Sequence, residues 1–193
     1  MKKILFFALL LIVPFIGFSQ TTKPITGFLG IKFGSSKLAV IAAMKAKGAV
    51  LDKKHTDADN LAFNNVNLGV RKANAFLVRF INNKAFEADY IFDPGLEAKT
   101  IPEYDDLCAD ITKVYGNGEV TKDYTSPYAE GDGSTLLGLS AGKIDFHTIW
   151  SDANNNTIAV SINTDMTVQL QYQDKVLTDQ AVAHQDANQK KDF

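Results

Sequence analysis

The chain reads as an α+β domain, an antiparallel sheet of about six strands packed against two helices in the order helix, hairpin, helix, meander. Three observations predict it. Two segments carry helical patterning, Lys37 to Lys47 and "IPEYDDLCADITKVYG". Apolar residues alternate with period two on either side of "NNK" at 82–84. Finally, "KIDFHTIW", "TIAVSI" and "TVQLQYQ" alternate in succession with no helical segment between them to cross over a parallel sheet.

Ahead of the domain stands a leader. "MKKILFFALLLIVPFIGFS" joins Lys2 and Lys3 to an apolar run from Ile4 to Phe18 and closes on small residues at Gly17 and Ser19, the layout of a secretory signal peptide cleaved before Gln20. The run is short for a bilayer span, and no cysteine stands at the cleavage point to take a lipid. The expectation is an exported chain, periplasmic or extracellular, without membrane attachment after cleavage. A single domain is expected over residues 20–177, followed by a polar, disordered tail over 178–193.

Loss of Lys2 and Lys3 takes the formal charge down by two, from −2 to −4. The remaining basic pairs, Lys53-Lys54, Arg71-Lys72 and Lys190-Lys191, are diluted by acids, so a nucleic-acid partner is not expected. A lone cysteine, Cys108, cannot close an internal disulfide; it is expected as a buried thiol, with stability left to the core.

Each element has its local reason. Ser35 or Ser36 can cap a helix over the alanine-rich stretch from Lys37, with Val40, Ile41 and Met44 inward, Lys45 and Lys47 in the last turn and Gly48 past its end. Leu61 with Phe63, then Val66 with Leu68, alternate and change phase at Asn64-Asn65, the mark of a turn or bulge. Phe76, Val78, Phe80 and then Phe86, Ala88, Tyr90 and Phe92 give a hairpin with one aromatic face, ended by Pro94-Gly95. Tyr104, Leu107, Cys108, Ile111, Val114 and Tyr115 form the apolar stripe of the second helix, with Pro102 in its first turn and Gly116 at its end. A strand at 120–124 precedes the meander, in which Ile144, Phe146, Thr148 and Trp150 share a phase. Both halves pass from a helix ending on a Lys-flanked glycine into strands, as an ancient duplication would.

The apparent chemical motifs reduce to structure. Gly27, Gly30 and Gly34 match neither a P-loop nor a dinucleotide loop. Gly138-Leu139-Ser140-Ala141-Gly142 matches the nucleophile elbow of hydrolases, yet a strand follows where a helix is needed, so Ser140 is expected in a glycine-rich hairpin loop. His55, Asp57 and Asp59, or Asp152, Asn154 and Asn156, have metal-ligand spacing; the second set lacks the glycine and the acid that complete a calcium loop. No cofactor and no metal is expected, and no catalytic residue is assigned. His147 reads as a surface residue.

"GIKFGSS" leading into a helix, "FINNKAFEADYIF" as a hairpin and "LCADITKVYGNGEV" as a helix ending on Tyr-Gly resemble a pattern of small exported proteins of Bacteroidota. The layout is also similar to the β-lactamase inhibitory proteins and to small outer-membrane assembly lipoproteins, although the disulfides of the former and the lipidated cysteine of the latter are missing. The resemblance implies a non-enzymatic binding module with a protein partner in the cell envelope, the alternatives being a structural envelope component or a Ser140 hydrolase. Tyr124, Tyr128 and Asp132, in and beside the polar loop "SPYAEGDGST", are the expected contact residues.

Overall fold

The computed structural model describes residues 23–189; the leader at 1–19 and the last residues of the expected tail, 190–193, lie outside them. The described chain opens with a small antiparallel pair, β1 (Gly27–Phe28) and β2 (Ile31–Lys32). Gly27 is required there: at φ +153° any Cβ would meet the Ile31 carbonyl oxygen at 1.9 Å. Helix α1 (Lys37–Ala46) starts where Ser36 Oγ accepts the Ala39 N–H at 3.3 Å and buries Val40 and Met44.

Short strand β3 (Val50–Leu51) and β4 (Asn60–Asn64) follow. Asn65, at φ +59°, then turns the chain into the side hairpin of β5 (Val66–Leu68) and β6 (Arg71–Ala73). Next come β7 (Ala75–Ile81) and β8 (Lys84–Phe92), joined through Asn82 and Asn83, both at positive φ as a two-residue hairpin turn demands. Helix α2 (Thr100–Tyr115) buries Tyr104, Leu107 and Ile111; Val114, expected in its apolar stripe, is 48% exposed, and Cys108 is half-buried. The chain continues through β9 (Glu119–Tyr124), α3 (Thr135–Ser140), β10 (Ile144–Ser151), β11 (Thr157–Ile162), β12 (Val168–Gln173) and α4 (Lys175–Gln189).

The main sheet is antiparallel and has eight strands, in the order β3-β4-β7-β8-β12-β11-β10-β9. The α+β class and the antiparallel meander therefore stand, but the expected six strands and two helices become eight sheet strands and four helices among the described residues. In each half a leading helix, α1 or α2, precedes four strands of the main sheet, with the β5–β6 hairpin inserted in the first half and α3 in the second, and the last strands of the two sets, β8 and β12, pair at the centre. Gly48 and Gly116, which follow the two leading helices, both have φ +82°. The topology thus carries the echo between halves read from the sequence.

Two corrections concern helices. Where a glycine-rich hairpin loop was expected around Ser140, α3 forms because Leu136 and Leu139 at helical spacing pack on the core. Where disorder was expected from residue 178, α4 forms: Asp174 Oδ1 accepts the Leu177 N–H at 2.8 Å as a cap, and Leu177, Thr178 and Ala181 are half-buried along one side.

Tyr90, Phe76, Val78, Ile158, Val160, Val168 and Leu170 lie on the helix-covered face of the sheet and form its core with α1 and α2. One aromatic departs from the expected face. The register shifts between Arg79 and Phe80, so Phe80 pairs Ala85 while Arg79 pairs Glu87, and Phe86 is the extra residue of a β-bulge. It sits outside the core cluster, in a cavity with Ile81 and Ala181 of α4.

Candidate functional site

The second face of the sheet collects the side chains that alternate with the core. Pairing is residue to residue across strands, so its rows can be followed by register. One row runs Arg79, Glu87, Gln173, Thr157 and Ser151; the next runs Leu77, Asp89, Gln171, Ala159 and Ile149; a third runs Ala75, Ile91, Gln169, Ser161 and His147. Helix α4 packs against β7 and β8, which leaves β10, β11 and β12 as an open polar surface.

At the centre of this face sit two carboxyl groups only 3% exposed, Glu87 and Asp89. Buried charge is tolerated only with partners, and the neighbouring strands supply them. Gln169 Nε2 and Gln171 Nε2 both donate to Asp89 Oδ1, at 2.8 and 3.0 Å, and Gln173 Nε2 donates to Glu87 Oε2 at 2.9 Å. Arg79 Nη1 lies 2.6 Å from Glu87 Oε1 without hydrogen-bond alignment, and Nη2 lies 3.8 Å from Asp89 Oδ2. Desolvation, and secondarily the charge of Asp89, push the Glu87 carboxyl up to about 7, against the opposing pull of Arg79 and Gln173. The cluster is a fixed array of amide, guanidinium and carboxyl groups.

Two cavities adjoin it, and Arg79 lines both. One of about 640 Å³ lies between α4 and the β7–β8 turn, bounded by Asn60, Phe86 and His184. The other, of about 380 Å³, lies between the β3–β4 loop and the open face, with Leu77, Ile91 and Ala62 as apolar walls and Asp52, Asp89 and Gln169 as polar ones.

The residues singled out by sequence lie elsewhere. Tyr124 is half-buried with its ring edge-on to Phe146 at 6.0 Å, and Tyr128 is half-buried beside Gly138. Asp132 is exposed, and its carboxylate accepts the N–H groups of Ala129 and Ser134, which shape the loop and lower its pKa. Ser140 ends α3, and its hydroxyl donates to the Leu137 carbonyl at 3.1 Å; helix, turn and strand follow in that order, the reverse of a nucleophile elbow.

His55 Nδ1 pairs with Asp52 Oδ2 at 2.7 Å rather than with Asp57, whose carboxylate instead takes the Asn60 side-chain amide and the N–H groups of Asp59 and Asn60. Asp152 is buried and accepts the N–H groups of Ile25, Asn154 and Asn156, while Asn156 bonds the Ile25 carbonyl; this set ties the start of the domain to the β10–β11 turn. Among the described residues no three His, Cys, Asp or Glu side chains are grouped to hold a metal ion, and no helix is long and apolar enough to cross a membrane. His147 pairs with Asp145 at 2.8 Å on the open face.

The central cluster escaped sequence reasoning, although its signal was present: "FEAD" and "QLQYQ" place polar residues strictly out of phase with the core. No protein-family model, curated protein or solved structure matches the chain.

Proposed function

We propose that the chain is a non-catalytic binding or inhibitory module, exported by its leader to the cell envelope or beyond, and that its working surface is the open face of the eight-stranded sheet. The observation that carries this reading is the central cluster. Gln169, Gln171, Gln173, Arg79, Glu87 and Asp89 hold one another in fixed positions on sheet backbone, so little side-chain entropy is lost when a partner docks. Around them, the small side chains of Ala159, Ser161 and Thr157 on β11 leave room for a partner to approach the backbone. A protein of the envelope is the partner class, in keeping with the leader and the resemblance to exported inhibitory and assembly modules. Asp132, exposed on its loop, is a further contact.

The test is capture from an envelope extract by the immobilised chain, against a Ser161→Arg form that places a long charged side chain on the open face. The parent is expected to retain a partner that the variant loses. Retention of nothing above background would leave a structural envelope role in its place.

A further inference from the structure

The helix-covered side of the sheet presents two outward helix faces of opposite character. On α1, Leu38 is 80% exposed, the exposed Ala42 and Ala46 continue its stripe, and Lys45 and Lys47 stand exposed at the far end; the helix carries no acid. On α2 the exposed stripe is Asp105, Asp106, Ala109 and Lys113. The remaining charges of both helices are engaged at home. Arg71 takes Glu103 and Asp110, Lys113 also pairs with Asp110, and Lys37 is drawn to the Ala58 carbonyl and the Phe80 ring. Among the described residues no ion pair engages Lys45, Lys47, Asp105 or Asp106.

An exposed leucine set among alanines is a surface that gains from being covered, and the charges beside it select what covers it. An anionic partner laid across both helices meets the acids of α2, and a cationic one meets the lysines of α1. A second copy of this chain matches both. The spacing agrees: Ala42 has Leu38 and Ala46 four residues to either side, and Ala109 has Asp105 and Lys113 four residues to either side, about 6 Å along each axis. The senses agree as well. The equivalent strands β8 and β12 are antiparallel, so the two halves are related by about a half-turn normal to the sheet, and α1 and α2 run over it in opposite directions. A two-fold axis lying between them therefore sets α1 antiparallel to α2 of the second copy.

We propose that the chain forms a two-fold dimer through this side, α1 of each copy packing on α2 of the other. Ala42 meets Ala109, letting the helices approach closely; Lys45 and Lys47 reach Asp105 and Asp106; and Leu38 lies along the aliphatic stem of Lys113. Each contact occurs twice. The open face of the sheet, on the other side, stays free.

Sedimentation equilibrium of the exported chain, from about 5 to 500 µM, tests this over the range of weak interfaces. A monomer–dimer equilibrium is expected, weakened severalfold between about 50 and 500 mM salt. Asp105→Lys with Asp106→Lys should weaken it about tenfold or more, since a two-fold interface meets each change twice, and Lys45→Asp with Lys47→Asp should do the same. All four changes together restore opposite charge across each helix pair, so affinity should return to within about threefold of the parent. A monomer at every concentration overturns the proposal, as does a dimer indifferent to both double changes or not recovered by their combination. Should the fourfold form fail to fold, Leu38→Arg decides, because an undiminished dimer in that variant rules this contact out. Capture of an envelope partner by a chain that stays monomeric refutes the dimer alone, and a dimer that captures nothing refutes only the open-face reading.

Discussion

Glu87 is a buried acid whose protonation is moved by desolvation into the range near neutral pH. Its carboxyl is raised from 4.5 to about 7, so between those values the folded protein holds a proton that the unfolded chain has released. Stability therefore falls as pH rises through this window and levels off above it, by an amount on the order of 3 kcal/mol. Glu87→Gln, which fixes the neutral shape, should remove this fall. Urea midpoints at pH 4.5 and 8 measure it, and parallel profiles for parent and variant would contradict it. Gly27→Ala should lower the urea midpoint by the equivalent of about 2–3 kcal/mol, because the new methyl meets a backbone oxygen that cannot rotate away. Ser140, bonded to the Leu137 carbonyl, is expected to give no ester hydrolysis in the parent. An esterase activity present in the parent and absent from Ser140→Ala would overturn the non-catalytic reading.

At the scale of elements, the side hairpin β5–β6 is fastened to α2 by one side chain. Arg71 Nε donates to Glu103 at 2.8 Å and Nη1 to Asp110 at 2.5 Å, while Lys113 and Arg71 together hold the Asp110 carboxyl down to about 2. Arg71→Met should destabilise the domain by about 1–2 kcal/mol. Hydrogen exchange should quicken at Val66–Ala73 and leave β8 and β12 unchanged, and a uniform rise would argue against a local clasp.

The elements also show what sequence can reveal. Periodicity exposed the hairpin, helices α1 and α2 and the meander because each depends on neighbours a few residues away. The bulge at Phe86 was hidden, since Phe86 fits the alternation equally well and only the tight turn at Asn82-Asn83 sets the register that expels it. Helix α4 was missed because its polar composition is offset by a cap at Asp174 and by contacts with β7 and β8, strands distant in sequence.

At the scale of the whole molecule, one continuous sheet joins two halves of like topology at the β8–β12 seam. The candidate site lies on that seam. Asp89 meets Gln169 and Gln171 across 80 and 82 residues of chain, a pairing that no local pattern encodes, although the polar phase of each strand was legible. A site built on the join of two halves inherits the rigidity of both. Its surroundings are protected from unwanted pairing: the edge strand β3 has two residues, and the other edge, β9, carries Glu119, Thr121, Lys122 and Asp123 rather than a long apolar run.

The central claim, that the open face is where a partner binds, is tested most directly by paired capture with two arginine substitutions. Ala159→Arg alters the open face, whereas Leu38→Arg alters α1 at a side chain already 80% exposed. With both variants matching the parent in thermal midpoint, Ala159→Arg should lose the captured partner and Leu38→Arg should keep it. Retention by Ala159→Arg, or loss by Leu38→Arg alone, would contradict it.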